Sequence, residues 1–225
     1  MKTPRKFPVK STQIPRNAAQ CRYRIFYGAI QFIKDLVPCY FCQPIYKEGE
    51  MAVLAEIEKT QLKDLLEKRW LTHDAMWFLQ ALNQAGIEKA NEMNKAAIKS
   101  LAPIDMERVK QLLGVTRESL LDFDNLVRFM NAALELTLPG SVMKRLQVTA
   151  PAENCIHWKW EKYQCFAYKG INYIGAIDEY NCGVIYRFEC WIEALGFRCS
   201  TRPVIEKCLM RENGECEGDI YISSF

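Results

Sequence analysis

The chain has 225 residues, 49% of them hydrophobic and 25% charged, with a formal net charge of +3. That composition is globular and sufficient for one large core or two small ones. The charge is uneven: residues 1–50 hold nine Lys or Arg and three acids, leaving 21 basic and 24 acidic residues over 51–225, so the body has no basic footprint and no nucleic-acid partner is expected.

No run approaches the ~20 apolar residues that span a bilayer. The nearest, Ile25–Ile33, is closed by Lys34 and Asp35 and lacks a small-residue cleavage pattern. Neither a membrane partner nor a secretory signal is expected, and the cytoplasm is the default location. Thiols stay reduced there, so the ten cysteines read as buried thiols, metal ligands or a redox site.

Residues 1–50 form a leader with scattered prolines and basic residues and no sustained periodicity. Met51, followed by a helical pattern, reads as the natural start, which would make the leader non-native or weakly ordered; an organellar transit peptide is the alternative. Cys39 and Cys42 have zinc or redox spacing, but stand without a second pair. Residues 51–140 read as a helical region. Leu62, Leu65, Leu66, Trp70, Met76, Trp77, Leu79 and Leu82 recur at helical spacing, and Gly86 ends that stripe. A second helix is expected over 87–101, with Pro103 starting a third that Gly114 stops. A fourth opens at Thr116 and runs through Leu136 to the break at Pro139-Gly140.

Residues 141–225 read as a cysteine-rich α+β module. Strands are expected at Val142–Ala150 and Cys155–Tyr163, the second with Ile156, Trp158 and Trp160 on one face and Cys155, His157 and Lys159 on the other. A helix follows over 184–195. Two strands, Val204–Met210 and Cys216–Ile222, then join through a turn at Glu212–Glu215. The fold class is α+β: a helical N-terminal region followed by a small antiparallel sheet with one helix packed on it.

No strong catalytic motif is present, neither GxSxG, nor a glycine-rich phosphate loop, nor HExxH. Trp70, His73, Asp74 and Trp77 share a helix face. They either hold helices in register or wall a pocket. Trp158 and Tyr180 belong to a dense aromatic group of the kind that fills cores and lines amphipathic pockets. Cys208 and Cys216, on opposite arms of the terminal hairpin, are expected as cross-strand neighbours. Cys182 precedes a helix, whose dipole should lower its thiol pKa, and Cys165 follows a strand end. These four form a candidate metal cluster for zinc or iron, with Cys182 also the candidate nucleophile. Buried packing is the plainer role of such thiols.

Two stretches carry a family resemblance. Trp70–Phe78, Gly86–Asn94 and Ile104–Lys110 resemble the helical half of a prokaryotic family of uncharacterised cytosolic proteins. The run from Cys165 through Tyr180, Cys182, Trp191, Cys208 and Cys216 to Ile222 is similar to L-2-amino-thiazoline-4-carboxylic acid hydrolase-like proteins. It is also similar to 4-vinyl reductase-type small-molecule-binding domains. The resemblance implies a compact α+β ligand-binding scaffold with Cys182, Cys208 and Cys216 near its end. The expected function is therefore binding of a hydrophobic or heterocyclic small molecule, with a cysteine-ligated metal as a possible addition. One alternative is hydrolysis of a cyclic amidine or thiazoline by a cysteine or metal-activated water. Another is a helical interaction protein with structural cysteines. A homo-oligomer is compatible with each.

Overall fold

The computed structural model describes residues 57–224. The leader, Met51 as a start and the Cys39/Cys42 pair lie outside them. The architecture is α+β, a helical layer followed by a four-stranded antiparallel sheet.

Helix α1 (Lys59–Ala85) opens with the Glu58 amide donating to Gln61 Oε1 at 3.3 Å. It closes where the Gly86 amide bonds Leu82 O at 3.0 Å with φ +84°, a backbone conformation that favours glycine. Helix α2 (Ile87–Leu113) follows directly and runs through Pro103, where two helices were expected. A proline removes one intrahelical hydrogen bond. Ile98, Ala102, Met106 and Val109 on the same helix are all buried, and their burial holds the helix in one piece. The expected fourth helix is also split differently. A 3-10 turn, Glu118–Leu121, precedes α3 (Phe123–Thr137). Asp122 makes the break, because its Oδ1 accepts from the Asn125 amide at 2.9 Å and caps α3.

A short helix α4 (Gly140–Met143) delays the first strand, β1 (Leu146–Ala152), which begins later than the apolar pattern suggested. Strand β2 (Cys155–Trp160) shows the expected alternation, with Ile156, Trp158 and Trp160 buried. On the other face, His157 pairs with Asp219 and Lys159 with Glu217. The chain then forms helix α5 (Phe166–Tyr173), missed in the sequence because it is short and aromatic, and helix α6 (Gly183–Ala194). Strand β3 is Arg198–Arg202, followed by helix α7 (Leu209–Glu212) and strand β4 (Glu217–Ser224). The expected strand over 204–210 does not form: Val204 is exposed, and Cys208 starts a helical turn instead. The sheet order is β1-β2-β4-β3. One continuous apolar core joins α2, α3, β2, α6 and β4, so the helical layer and the sheet share an interior.

Candidate functional site

The site is built around Tyr180, which sits between the 3-10 turn Ile177–Glu179 and the start of α6. Asn91 on α2 fixes this segment from both sides. Its Nδ2 donates to Glu179 O at 2.8 Å and its Oδ1 accepts from the Asn181 amide at 3.1 Å. The Tyr180 hydroxyl accepts from the Gly183 amide at 3.0 Å, and its ring meets Phe78 edge-on at 5.7 Å. Burial drives the Tyr180 hydroxyl pKa far above its ordinary value. Tyr180 therefore acts as a neutral, fixed wall.

Two chambers lie on one side of that wall, between α1, α2, α5 and α6. One, of about 160 Å³, is lined by residues such as Leu71, Phe78, Phe166 and Ile171. The other, of about 390 Å³, carries more charge, with Glu67, Asp74 and Asp105 facing Arg108 and Arg187. They share Leu71, Asp74, Asn94, Phe166, Ala167 and Tyr180, which makes one amphipathic cleft. Arg187 Nη2 stands 3.9 Å from Asp74 Oδ2. Burial raises the Asp105 carboxyl pKa, although Arg187 and Arg108 pull it down. Burial also raises that of Glu67, against the Lys63 ammonium 2.7 Å from its Oε1.

On the other side of Tyr180 is a cavity of about 10 Å³ lined by Cys165, Cys182, Cys208 and Cys216, the four cysteines singled out in the sequence. Three of them are helix N-caps: Cys165 of α5, Cys182 of α6 and Cys208 of α7. Cys216 directly precedes β4. None of the three makes a full side-chain cap hydrogen bond. The amides of Val184 and Ile185 still favour a Cys182 thiolate, as those of Met210 and Arg211 favour one at Cys208.

Burial outweighs these amides. It pushes the Cys182 thiol up to about 11, Cys216 to about 12, and Cys165 and Cys208 upward as well. The expected lowering of the Cys182 pKa by its helix is thus reversed. Desolvation penalises the charged form more than the helix start rewards it. Nor do Cys208 and Cys216 face each other across a hairpin; one caps α7 and the other enters β4. Among the described residues, no group of three or more His, Cys, Asp or Glu is placed to hold a metal ion as it stands.

The other sequence-predicted site residues divide. Asp74 and Tyr180 meet at the cleft. His73 and Trp77 turn to solvent, where Trp77 Nε1 donates to His73 Nε2 at 3.2 Å, and neither lines the cleft. One helical face was assigned to all four of Trp70, His73, Asp74 and Trp77. The structure splits it, because Asp74 lies on the flank that leads inward to Phe78. Trp158 is fully buried in the core, opposite Gly218, and lines none of these spaces. Asn91, Ala167 and Arg187 were not singled out. Asn91 had one legible signal, a buried-face asparagine three residues before Asn94 on the same helix.

Residues 54–156 match the model of a family of unknown function (DUF6125), a span that holds the helical layer and ends before the four clustered cysteines. No curated protein matches the chain, and no solved structure does.

Proposed function

We propose that this is a cytoplasmic small-molecule-binding protein, whose ligand occupies the cleft beside Tyr180. The cleft itself carries the proposal. Its larger chamber, at about 390 Å³, lies within the ~300–1,000 Å³ typical of ligand pockets. Apolar walls with a few convergent charges suit a ligand with a hydrophobic or heterocyclic body and both donor and acceptor groups. The resemblance of the C-terminal run to vinyl-reductase-type binding domains supports the same reading. The seven described cysteines are all free thiols, in keeping with a reducing compartment.

Native mass spectrometry of protein isolated from cells tests the proposal. The expected result is a co-purifying organic adduct that falls at least tenfold in Asp74→Ala and Arg187→Ala variants. Ligand-free protein, whose melting temperature no compound from a panel of heterocyclic carboxylates raises, would overturn it.

The hydrolase reading has less support. A thiol with a pKa of about 11 is ~10⁻⁴ ionised at pH 7. Of the two histidines, His73 lies on the solvent face of α1 and His157 on the polar face of the sheet, paired with Asp219 at 2.8 Å, so neither is a base for Cys182. Full retention of thiazoline ring opening in Cys182→Ala would remove that reading.

A structural metal is favoured by one observation, the convergence of four thiols and three helix starts on a single small cavity. The donor set suits a soft ion such as zinc or iron, and its bound charge would reverse the pKa shifts of the thiols. Cys165, Cys182, Cys208 and Cys216 would be its ligands. Elemental analysis should then find close to one metal per chain, lost in Cys208→Ala/Cys216→Ala. Metal-free protein, with that variant as stable as wild type, would exclude it.

A further inference from the structure

Glu67 on helix α1 lines the larger chamber of the cleft and is only 7% exposed. Its Oε1 meets the Lys63 ammonium at 2.7 Å, which marks the group as an anion. Its Oε2 is buried and has no hydrogen-bond partner among the described residues. A buried carboxylate oxygen is costly to leave unpaired, and native structures rarely do so without a reason. The other acids of the chamber are better served. Asp74 faces Arg187 at 3.9 Å, and both Arg187 and Arg108 act on Asp105. Lys63, by contrast, is divided. Its ammonium also donates to Leu138 O at 3.3 Å, and its side chain is 40% exposed, so water screens the charge it brings to Glu67.

We infer that the cleft ligand carries a protonated amine on an apolar or aromatic body, and that Glu67 Oε2 accepts the amine's hydrogen bond. The inference rests on the cleft being the ligand site proposed above, and names the chemistry of its occupant. Trp70 stands one turn beyond Glu67 on the same helix face and lines the same chamber. The face of an indole attracts a cation, so the carboxylate and the ring favour the same head group. Leu71, Ile98, Leu134 and Phe188 supply apolar walls for the rest of the molecule. A neutral donor also reaches a carboxylate, but a hydrogen bond from an ammonium is roughly twice as strong. A carboxylate head in that place would meet another carboxylate and be repelled.

Isothermal titration of the full chain with matched probes tests the inference. Tryptamine, its alcohol tryptophol and the acid indolepropionate share one body and differ in the head group. Phenethylamine, phenethyl alcohol and phenylpropionate repeat the set on a smaller ring. In at least one set the amine should bind tenfold or more tightly than its alcohol and its acid. Glu67→Gln should lower that amine's affinity at least tenfold and change the alcohol's by less than twofold. The ligand-free variant should melt no lower than wild type, because the amide keeps the shape and removes a buried charge. A role confined to the Lys63 pair would do the opposite: a lower melting temperature with amine affinity unchanged, which would overturn the inference. Alcohols or acids that bind as tightly as the amines, with binding lost in Arg187→Ala, would also overturn it and leave the cleft standing as a ligand site. So would a co-purifying adduct whose accurate mass contains no nitrogen. Failure of every probe to bind protein isolated without an adduct would overturn the cleft reading, and this inference with it.

Discussion

Asn91 shows how one side chain can set the position of a binding wall. It is buried, and both ends of its amide are used on the loop that carries Tyr180. Asn91→Ala would unpair the Glu179 carbonyl and the Asn181 amide, both part-buried bonds, and should cost about 1 kcal/mol in urea unfolding while loosening the cleft. The clustered thiols make a pH prediction. Their folded pKa values lie above the ~8.5 of an unfolded cysteine, so above that value the unfolded chain releases protons that the folded chain keeps. Their contribution to stability is therefore complete below about pH 8.5, and falls as pH rises towards the 11 to 12 of Cys182 and Cys216. In metal-free protein, urea titrations at pH 7 and pH 9.5 should show the loss, and Cys182→Ala/Cys216→Ala should flatten it. The four cysteines were legible as a group, although by the wrong local geometry. Spacing brought Cys208 and Cys216 together as hairpin partners, whereas tertiary structure assembles them from a helix cap and a strand entry. The depth of burial that sets their pKa values has no local signature.

At the scale of elements, the sequence was clearest where a strong period ran to an unambiguous stop, as in α1, β2 and α6. It failed where local signals and burial disagreed. Pro103 argued for a break that Ala102 and Met106 override from inside the core. The apolar residues near Val204 suggested a strand, but the pairing edge of β4 is taken by Arg198–Arg202, which looks polar in isolation. A glycine explains how β4 fits against β2. A Cβ on Gly218 would lie 2.5 Å from Arg202 O and 2.5 Å from the Trp158 ring. The carbonyl is backbone and cannot move aside cheaply, so Gly218→Ala should destabilise the sheet by about 3 kcal/mol in thermal or urea unfolding. Gly183→Ala meets Asn94 Nδ2 at 2.7 Å, the free end of a side chain. It should cost only about 1 kcal/mol, and should displace Asn94, a cleft residue.

For the whole molecule, the apolar core runs without interruption from α2 and α3 into β2, α6 and β4. The helical region and the cysteine-rich module should therefore unfold together. Far-ultraviolet and near-ultraviolet circular dichroism are expected to report one coincident transition; two separated transitions would show independent units. No described helix is long and apolar enough to cross a membrane. The α+β class follows from the change of period near residue 140, and a pocket between the Trp70–Phe78 helix and the C-terminal module was an expectation of the sequence, whereas the helix α5 that completes the cleft was not legible. Tyr180 and Ala167 border the cleft on one side and the thiol cavity on the other. A partition shared by two chambers is a mechanical link between them. A substitution at Ala167 or Tyr180 therefore reshapes the cleft and the surroundings of the four thiols at once.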